Sequence, residues 1–340
     1  MAIGRPKSSK ATMQDIADSL HISKVSVSKA LNNRGGVSDD LRRSILAAAQ
    51  QLGYEHLSVE AAQPLHFAFV VSKHFFLETD AFYSEMYYHF SRQCPKVGAT
   101  VTLVIVSNRD EEAPRLPEQL QGDFSGIAVA GEMSDAFLRL LEKPGRPLVL
   151  MDFESYAVSS YSITTDNYHW GSLVTQKLVD MGHQKIGFVG QSGSTKSITD
   201  RYFGYRRTLL HNGLPFSEDW VLVNNDRSTG LYTSSIVLPE DMPTAFICHC
   251  DMAAYYLLAT LNERGYQCPK DVSIISFDNT RLAETCCPAL TSVDIEPRAF
   301  VSIALDLLVN ENLRNATTRF YLPARLVERN SVAPVNTAAT

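Results

Sequence analysis

The spacing of the apolar residues changes at Pro64, and no other feature of the chain narrows its fold as much. From Thr12 to Gly53 apolar residues recur at helical spacing, punctuated by three N-cap candidates. Thr12 is placed to cap a helix from Met13 to Leu20, Ser23 one from Lys24 to Leu31, and Ser38 one from Asp39 to Leu52, which Gly53 closes. Asp39 and Asp40 fall in the first turn of the third helix, where the helix dipole favours carboxylates. Beyond Pro64, short continuous apolar runs alternate with amphipathic stretches. Strands are expected at His66 to Val71, Thr100 to Val106, Gly126 to Ala130, Pro147 to Met151, Lys185 to Val189, Ala245 to Cys248 and Val272 to Ser276. Helices are expected between several of them, at Phe82 to Lys96, His169 to Met181, Arg201 to His211 and Met252 to Arg264. Strands apolar on both faces, with helices between, indicate parallel sheets covered on both sides. The fold class expected is therefore α/β, with an all-α head on a body long enough for two lobes.

Charge separates the same two parts. The chain carries a net −6, yet residues 1–34 hold Arg5, Lys7, Lys10, Lys24, Lys29 and Arg34 against Asp15 and Asp18. That leaves a local +4 and a remainder of −10. A basic head on an acidic body can grip phosphates at one end while the rest repels them. The six cysteines lack a CxxC pair, and the vicinal Cys286 and Cys287 suit a reducing compartment better than a disulfide framework. No run reaches the roughly 20 apolar residues of a spanning helix and none reads as a secretory stretch, so a cytoplasmic protein with no membrane partner is expected.

Within the head, Ile16, Ala17, Leu20, Ile22, Val27 and Leu31 are spaced so that two helices can cross about a tight turn at His21 to Ser23. That is helix-turn-helix geometry. It leaves Lys24, Val25, Ser26, Ser28 and Lys29 on the outward face of the second helix, whose first half can enter a major groove. The alternative is a small helical bundle with a solvated basic face.

At these residues, followed by "GVSDDLRRSILAAAQQLGY", the sequence resembles the lactose-repressor (LacI) family of bacterial regulators. The resemblance implies base contacts from Lys24, Val25 and Lys29: lysine can donate to guanine O6 and N7, and Val25 can touch a thymine methyl. It implies phosphate contacts from Thr12, Ser23, Ser28 and Asn32. Gly4-Arg5-Pro6-Lys7 has the form of a minor-groove hook, or else of an untethered basic tail, and adds Arg5 and Lys7 to the DNA contacts. The linker departs from the family: Glu55 and His56 follow Tyr54, and Gln63 stands near the place of the leucine that wedges into the central minor groove. The expected division is a DNA-binding head at 1–54, a hinge at 55–64 and an effector-binding body at 65–333. Its first lobe would take about 65–164 and 296–322, its second about 165–295 and 323–333.

The resemblance continues through "TTDNYHWG", "LVDMGHQKIGFVG", "DRYFGYRRTL", "DVSIISFDNT" and "PALTSV", and implies a periplasmic-binding-protein-like body with a ligand between two lobes. Arg201 and Asp278 are the ligand contacts it implies first, as donor and acceptor to a sugar diol, or else as an internal ion pair. Asp166 matches too, although a helix cap is an equal reading. Phe82, Tyr83, Trp170 and Tyr202 are candidate stacking surfaces for a ring. Where the family commonly has Asn-Asp the chain has Cys250-Asp251, with Asp251 expected to cap the next helix and the lost amide favouring a ligand other than the commoner sugars.

Other chemistries fit less well. "GQSGSTKS" at Gly190 to Ser197 imitates a phosphate-binding loop but has Thr195 where the second glycine is required. Cys248, His249 and Cys250 alternate along a strand end and have no second pair at ligand spacing, so neither a metal nor a cofactor is expected. No catalytic constellation is legible, which disfavours a sugar-modifying enzyme; a transport solute-binding protein would share the body but not the basic head. The expectation is a non-enzymatic regulator, probing palindromic double-stranded DNA as a homodimer and answering to a sugar or sugar derivative. The terminal "SVAPVNTAAT" has no leucine heptad, which favours a dimer over a coiled-coil tetramer.

Overall fold

The computed structural model describes residues 11–31, 36–54, 64–76, 81–224, 236–310, 313 and 317–335, without the side chains of Asp39, His74 and Phe75. Arg5, Lys7, Asn32 and the linker 55–63 lie outside the described residues. The chain forms two compact units, Met1–Pro64 and Leu65–Thr340.

In the first unit, α1 (Met13–Ser19), α2 (Lys24–Leu31) and α3 (Asp39–Gln51) pack about Ile16, Ala17, Val27, Ala30, Ile45, Ala48, Ala49 and Tyr54. Thr12 and Asp15 close a reciprocal capping box: the Thr12 hydroxyl accepts from the Asp15 amide at 3.3 Å, and the Asp15 carboxylate accepts from the Thr12 amide at 2.7 Å. His21 takes φ +54° in the turn, so the backbone reverses there without a glycine. Arg42 of α3 donates to the Ala30 carbonyl at 3.2 Å, satisfying an orphan acceptor in the last turn of α2.

The second unit holds two six-stranded sheets among its described residues. The first comprises β1 (Leu65–Ser72), β2 (Ala99–Val106), β3 (Gly126–Ala130), β4 (Leu148–Met151), β5 (Tyr161–Thr165) and β11 (Arg319–Leu322), in the order β11-β5-β4-β3-β1-β2. All its pairings are parallel. The second comprises β6 (Ile186–Val189), β7 (Val221–Leu222), β8 (Ala245–Cys248), β9 (Ser273–Asp278), β10 (Thr291–Asp294) and β12 (Arg325–Val327), in the order β12-β10-β9-β8-β6-β7. Only β12 runs antiparallel to its neighbour. Strands such as "GIAVA", "LVLM" and "AFIC" are buried at every position, as sheets covered on both faces require.

The chain passes between the sheets at β5 to the helix Asn167–Asp180, at β10 to the helix Pro297–Val309, and at β11 to β12. Five of these strands escape the apolar-run pattern: β5, β10, β11 and β12 because polar residues interrupt them, and β7 because it is only two residues long. The helix Lys196–His211 also starts five residues before its expected Arg201, with Thr195 as N-cap accepting from the Ile198 amide at 3.2 Å.

Candidate functional site

On α2, Lys24, Val25 and Lys29 are exposed together, and Val25 leaves 63% of its surface to solvent. An apolar side chain held out between two lysines gains nothing from water; it fits a partner that offers both phosphate and apolar base edges. Behind that face, the Ser23 hydroxyl accepts from the Ser26 amide at 3.1 Å and shares a hydrogen bond with the Ser26 hydroxyl at 2.9 Å. This fixes the entry of the helix. Ser28 is half-buried and engaged within the unit, and Thr12 is exposed at the start of α1.

In the second unit, attention falls on the carboxyl ends of the strands. Asp152 after β4, Asp278 at the end of β9 and Asn279 beside it take φ +71°, +94° and +49°, a region that side-chain-bearing residues seldom occupy. Such backbone persists only where surrounding structure over-determines it, which is common at ligand sites.

Arg201 is buried and engaged by three neighbours. Its Nε donates to Asn167 Oδ1 at 2.8 Å, its Nη1 to the His249 carbonyl, and its Nη2 lies 3.6 Å from Asp278. The guanidinium also stacks over Phe277 at 4.3 Å. Of the two readings open for Arg201 and Asp278, the geometry gives the internal pair, and both partners belong to the second sheet's lobe. The neighbouring His249 ring is pushed down to about 3 by burial and by the Arg201 charge, so it is neutral.

A cavity of about 270 Å³ opens beside them, lined in part by Asp152, Glu154, Thr165, Asp166, Lys196 and Asp200. Asp152 is 8% exposed. Its Oδ2 accepts from the Tyr83 hydroxyl at 2.8 Å, whereas its Oδ1 has no partner. Burial pushes its carboxyl above the usual range, with Arg201 and the Tyr83 hydroxyl pulling the other way. The Thr165 hydroxyl is likewise buried and unpartnered. Lys196 pairs with Asp200 at 2.6 Å and approaches Glu154 at 3.4 Å, while its backbone amide donates to Glu132 at 2.6 Å. Glu132 and Glu154 follow β3 and β4, so the start of the helix Lys196–His211 is tied to the opposite lobe. The engagement of Lys196 and the cap at Thr195 also explain why "GQSGSTKS" is no phosphate loop.

Several expected ligand contacts change role. Phe82 packs edge-on against Tyr83 and Phe300 in the first lobe's core, Tyr202 packs against Phe188 and Tyr205, and half-buried Trp170 packs on the same core. None of the three lines the cavity. Tyr83 acts through its hydroxyl rather than its ring face. Asp166 lines the cavity and also caps Asn167–Asp180, accepting from the His169 amide at 2.9 Å. Cys250, not Asp251, is the N-cap of the helix Asp251–Glu263, with its sulfur accepting from the Ala253 amide at 3.4 Å. Asp251 turns inward instead and accepts from Ser276, Ser292 and both the amide and hydroxyl of Thr280, at 2.6 to 2.9 Å. Asp152 and Glu132 escape a sequence reading, and Lys196 enters it only within the rejected "GQSGSTKS" loop; the one signal for Asp152 is an acid placed directly after the apolar run "LVLM".

Residues 12–56 match the family described as bacterial regulatory proteins, lacI family, and residues 175–332 match the periplasmic binding protein-like domain. The chain is 26% identical over 333 residues to the HTH-type transcriptional repressor PurR of Vibrio parahaemolyticus, spanning 96% of this chain and 100% of that one. It is 26% identical over 334 residues to PurR of Klebsiella pneumoniae (strain 342), spanning 95% and 97%. Among solved structures, a lac repressor dimer bound to operator and the anti-inducer ONPF matches with a TM-score of 0.66 at 21% identity, over 95% of this chain and 99% of that one. A CelR–cellobiose complex matches at 0.64 with 21% identity, over 95% and 100%.

Proposed function

Because the chain belongs to the lacI family of bacterial regulatory proteins, we propose that it represses transcription by binding a palindromic operator, under the control of a small sugar-like effector held in the cleft of its second unit. The observation that carries this reading is the exposed Lys24, Val25 and Lys29 face on a capped helix inside the lacI-matched segment. The relatives named PurR are transcriptional repressors, the lac repressor of known structure is a dimer on its operator, and CelR is seen with cellobiose. A twofold dimer would present two such helices to half-sites related by the same axis. Such a regulator works beside the chromosome, in the cytoplasm.

The cleft supports a sensor rather than a catalyst. Lys196 in its wall pairs with Asp200, and Asp152 Oδ1 and the Thr165 hydroxyl nearby are buried without a hydrogen-bond partner, the kind of unsatisfied polar group that a binding cleft holds. Control then requires only that the effector bind the DNA-competent and DNA-incompetent states with different affinity, and the sign of the difference separates inducer from co-repressor. The test is selection of duplexes from a random pool by the full-length protein, followed by titration of the winning sequence. Enrichment of a palindrome, with an affinity that one small molecule changes, is the expected result; no preference over random competitor at moderate salt would remove the DNA-binding reading.

A further inference from the structure

The helix Lys196–His211 also borders a groove of about 520 Å³ whose lining reverses that of the cleft. No carboxylate lines this groove, and its charges are the guanidinium groups of Arg206 and Arg207. Phe203 and Leu210, two helical turns apart, line it with 53% and 82% of their surface in water, and half-buried Leu214 and Phe216 complete its apolar wall. A single exposed apolar side chain is ordinary. A contiguous set in a concave groove, edged by charge, marks a contact site. The groove is also preformed: Gly171 and Gly204 leave no room for a Cβ between the helices Asn167–Asp180 and Lys196–His211, which fixes Tyr168 of the first helix at the edge of the groove.

The two arginines select the partner. The Arg206 guanidinium stacks on the Phe216 ring at 3.1 Å from its centroid, which fixes its plane, and neither Arg206 nor Arg207 makes an ion pair among the described residues. Glu218, whose charge also reaches Tyr202, does not line the groove. On a body whose share of the charge is −10, two cations without a carboxylate are a local reversal of sign. A twofold contact with a second copy through this face would set the arginines against their own counterparts, and like charges repel. An anionic bilayer is flat and would be repelled by the rest of the body, whereas a groove takes inserted side chains. An amphipathic helix answers both features, with apolar anchors for the groove and flanking carboxylates that pair with guanidinium. We propose that this groove docks an acidic amphipathic helix of a partner protein, its apolar residues packing on Phe203, Leu210, Leu214 and Phe216 and its carboxylates pairing with Arg206 and Arg207.

The experiment is selection of helix-length random peptides displayed on phage against the full-length protein, followed by fluorescence anisotropy with the enriched peptides. Winners should carry apolar residues at helical spacing beside Asp or Glu. Their affinity should fall at least about tenfold in Arg207→Glu and in Leu210→Asp, both exposed positions, and stay within about twofold in Arg139→Glu, a charge reversal elsewhere on the second unit. Replacing the peptide carboxylates with amides should weaken binding to the wild-type protein and leave binding to R207E unchanged. No enrichment beyond that obtained against L210D, winners without carboxylates, or winners that bind R207E and L210D as they bind wild type would overturn the proposal; should one variant fail to fold, the other decides. Two other occupants would overturn it as well. A sedimentation mass that rises with concentration and is lowered by L210D assigns the groove to a second copy, and L210D-sensitive binding to vesicles of equal phosphatidylglycerol and phosphatidylcholine assigns it to a membrane. None of these readouts uses the operator or the effector, so the outcome is independent of the function proposed above.

Discussion

Lys29 lies one helical turn beyond Val25 on the exposed face of α2, and base readout is the role proposed for it. Lys29→Ala should weaken specific operator binding by about 1 to 3 kcal/mol. Unchanged affinity for the selected palindrome, measured by fluorescence anisotropy, would take Lys29 out of base readout. His249 makes a different kind of prediction, because its folded-state value of about 3 lies below the ordinary 6.5. Between those values the unfolded chain takes up a proton that the folded chain refuses. The stability from the neutral ring is therefore fully present above pH 6.5 and drains away as pH falls, with a slope near 1.4 kcal/mol per pH unit per proton. His183, also depressed by burial, pulls the same way; Asp152, Glu132 and Asp251, whose carboxyls are raised by burial, pull against it. The sign is best read as a difference: His249→Gln should flatten the stability curve of the protein between pH 6 and 4 by about one proton's slope. Parallel denaturation curves for the two proteins would show that the ring does not stay neutral.

Two glycines set the distance between the helices Asn167–Asp180 and Lys196–His211. A Cβ on Gly204 would strike the Tyr168 carbonyl and come within 2.7 Å of the Ser172 amide, and one on Gly171 would strike the Arg201 carbonyl. These obstacles are backbone, so neither can swing aside. Gly204→Ala should cost about 3 kcal/mol, at the upper end of overpacking penalties, despite alanine's better helix propensity; a melting temperature equal to wild type would show that the helices can part cheaply. This pair of helices also marks how far the sequence could be read. Their amphipathic pattern announces them, and caps and apolar runs locate α1 to α3 and the central strands to within a residue or two. What stays hidden is polar and buried. The strand "TSVD" of β10 reads as a loop because Thr291 and Ser292 are hydroxyls, yet both are buried: Ser292 donates to Asp251 at 2.7 Å, and Thr291 accepts from the Arg329 amide at 2.9 Å. The partner that makes a polar strand affordable lies 41 residues away in Asp251, beyond the reach of local periodicity. The same distance hides the cleft: Tyr83 and Asp152 are 69 residues apart, and only the folded sheet brings them to 2.8 Å.

At the scale of the whole second unit, the two lobes are fastened by the first residue of one helix. Glu132, from the lobe of the first sheet, accepts the backbone amide of Lys196 in the other lobe at 2.6 Å, and the Lys196 ammonium reaches back toward Glu154 at 3.4 Å. A carboxylate at a helix N-terminus meets both an orphan N–H and the positive end of the helix dipole, so the contact holds without any ligand. A contact between the lobes favours whichever arrangement allows it, and a ligand held between them has an apparent affinity set by the fraction of molecules in its binding-competent form. Glu132→Ala removes the acceptor and should shift the population toward an open cleft. Small-angle scattering should report a larger radius of gyration that saturating effector restores, and the apparent dissociation constant should rise by the factor by which the closed fraction falls. Glu132→Gln keeps an acceptor for the Lys196 amide and loses only the charge, so its effect should lie between wild type and E132A. If E132A scatters as wild type does and binds effector with unaltered affinity, closure is held elsewhere, and the carboxylate at the head of Lys196–His211 is a passive neighbour of the cleft rather than its fastening.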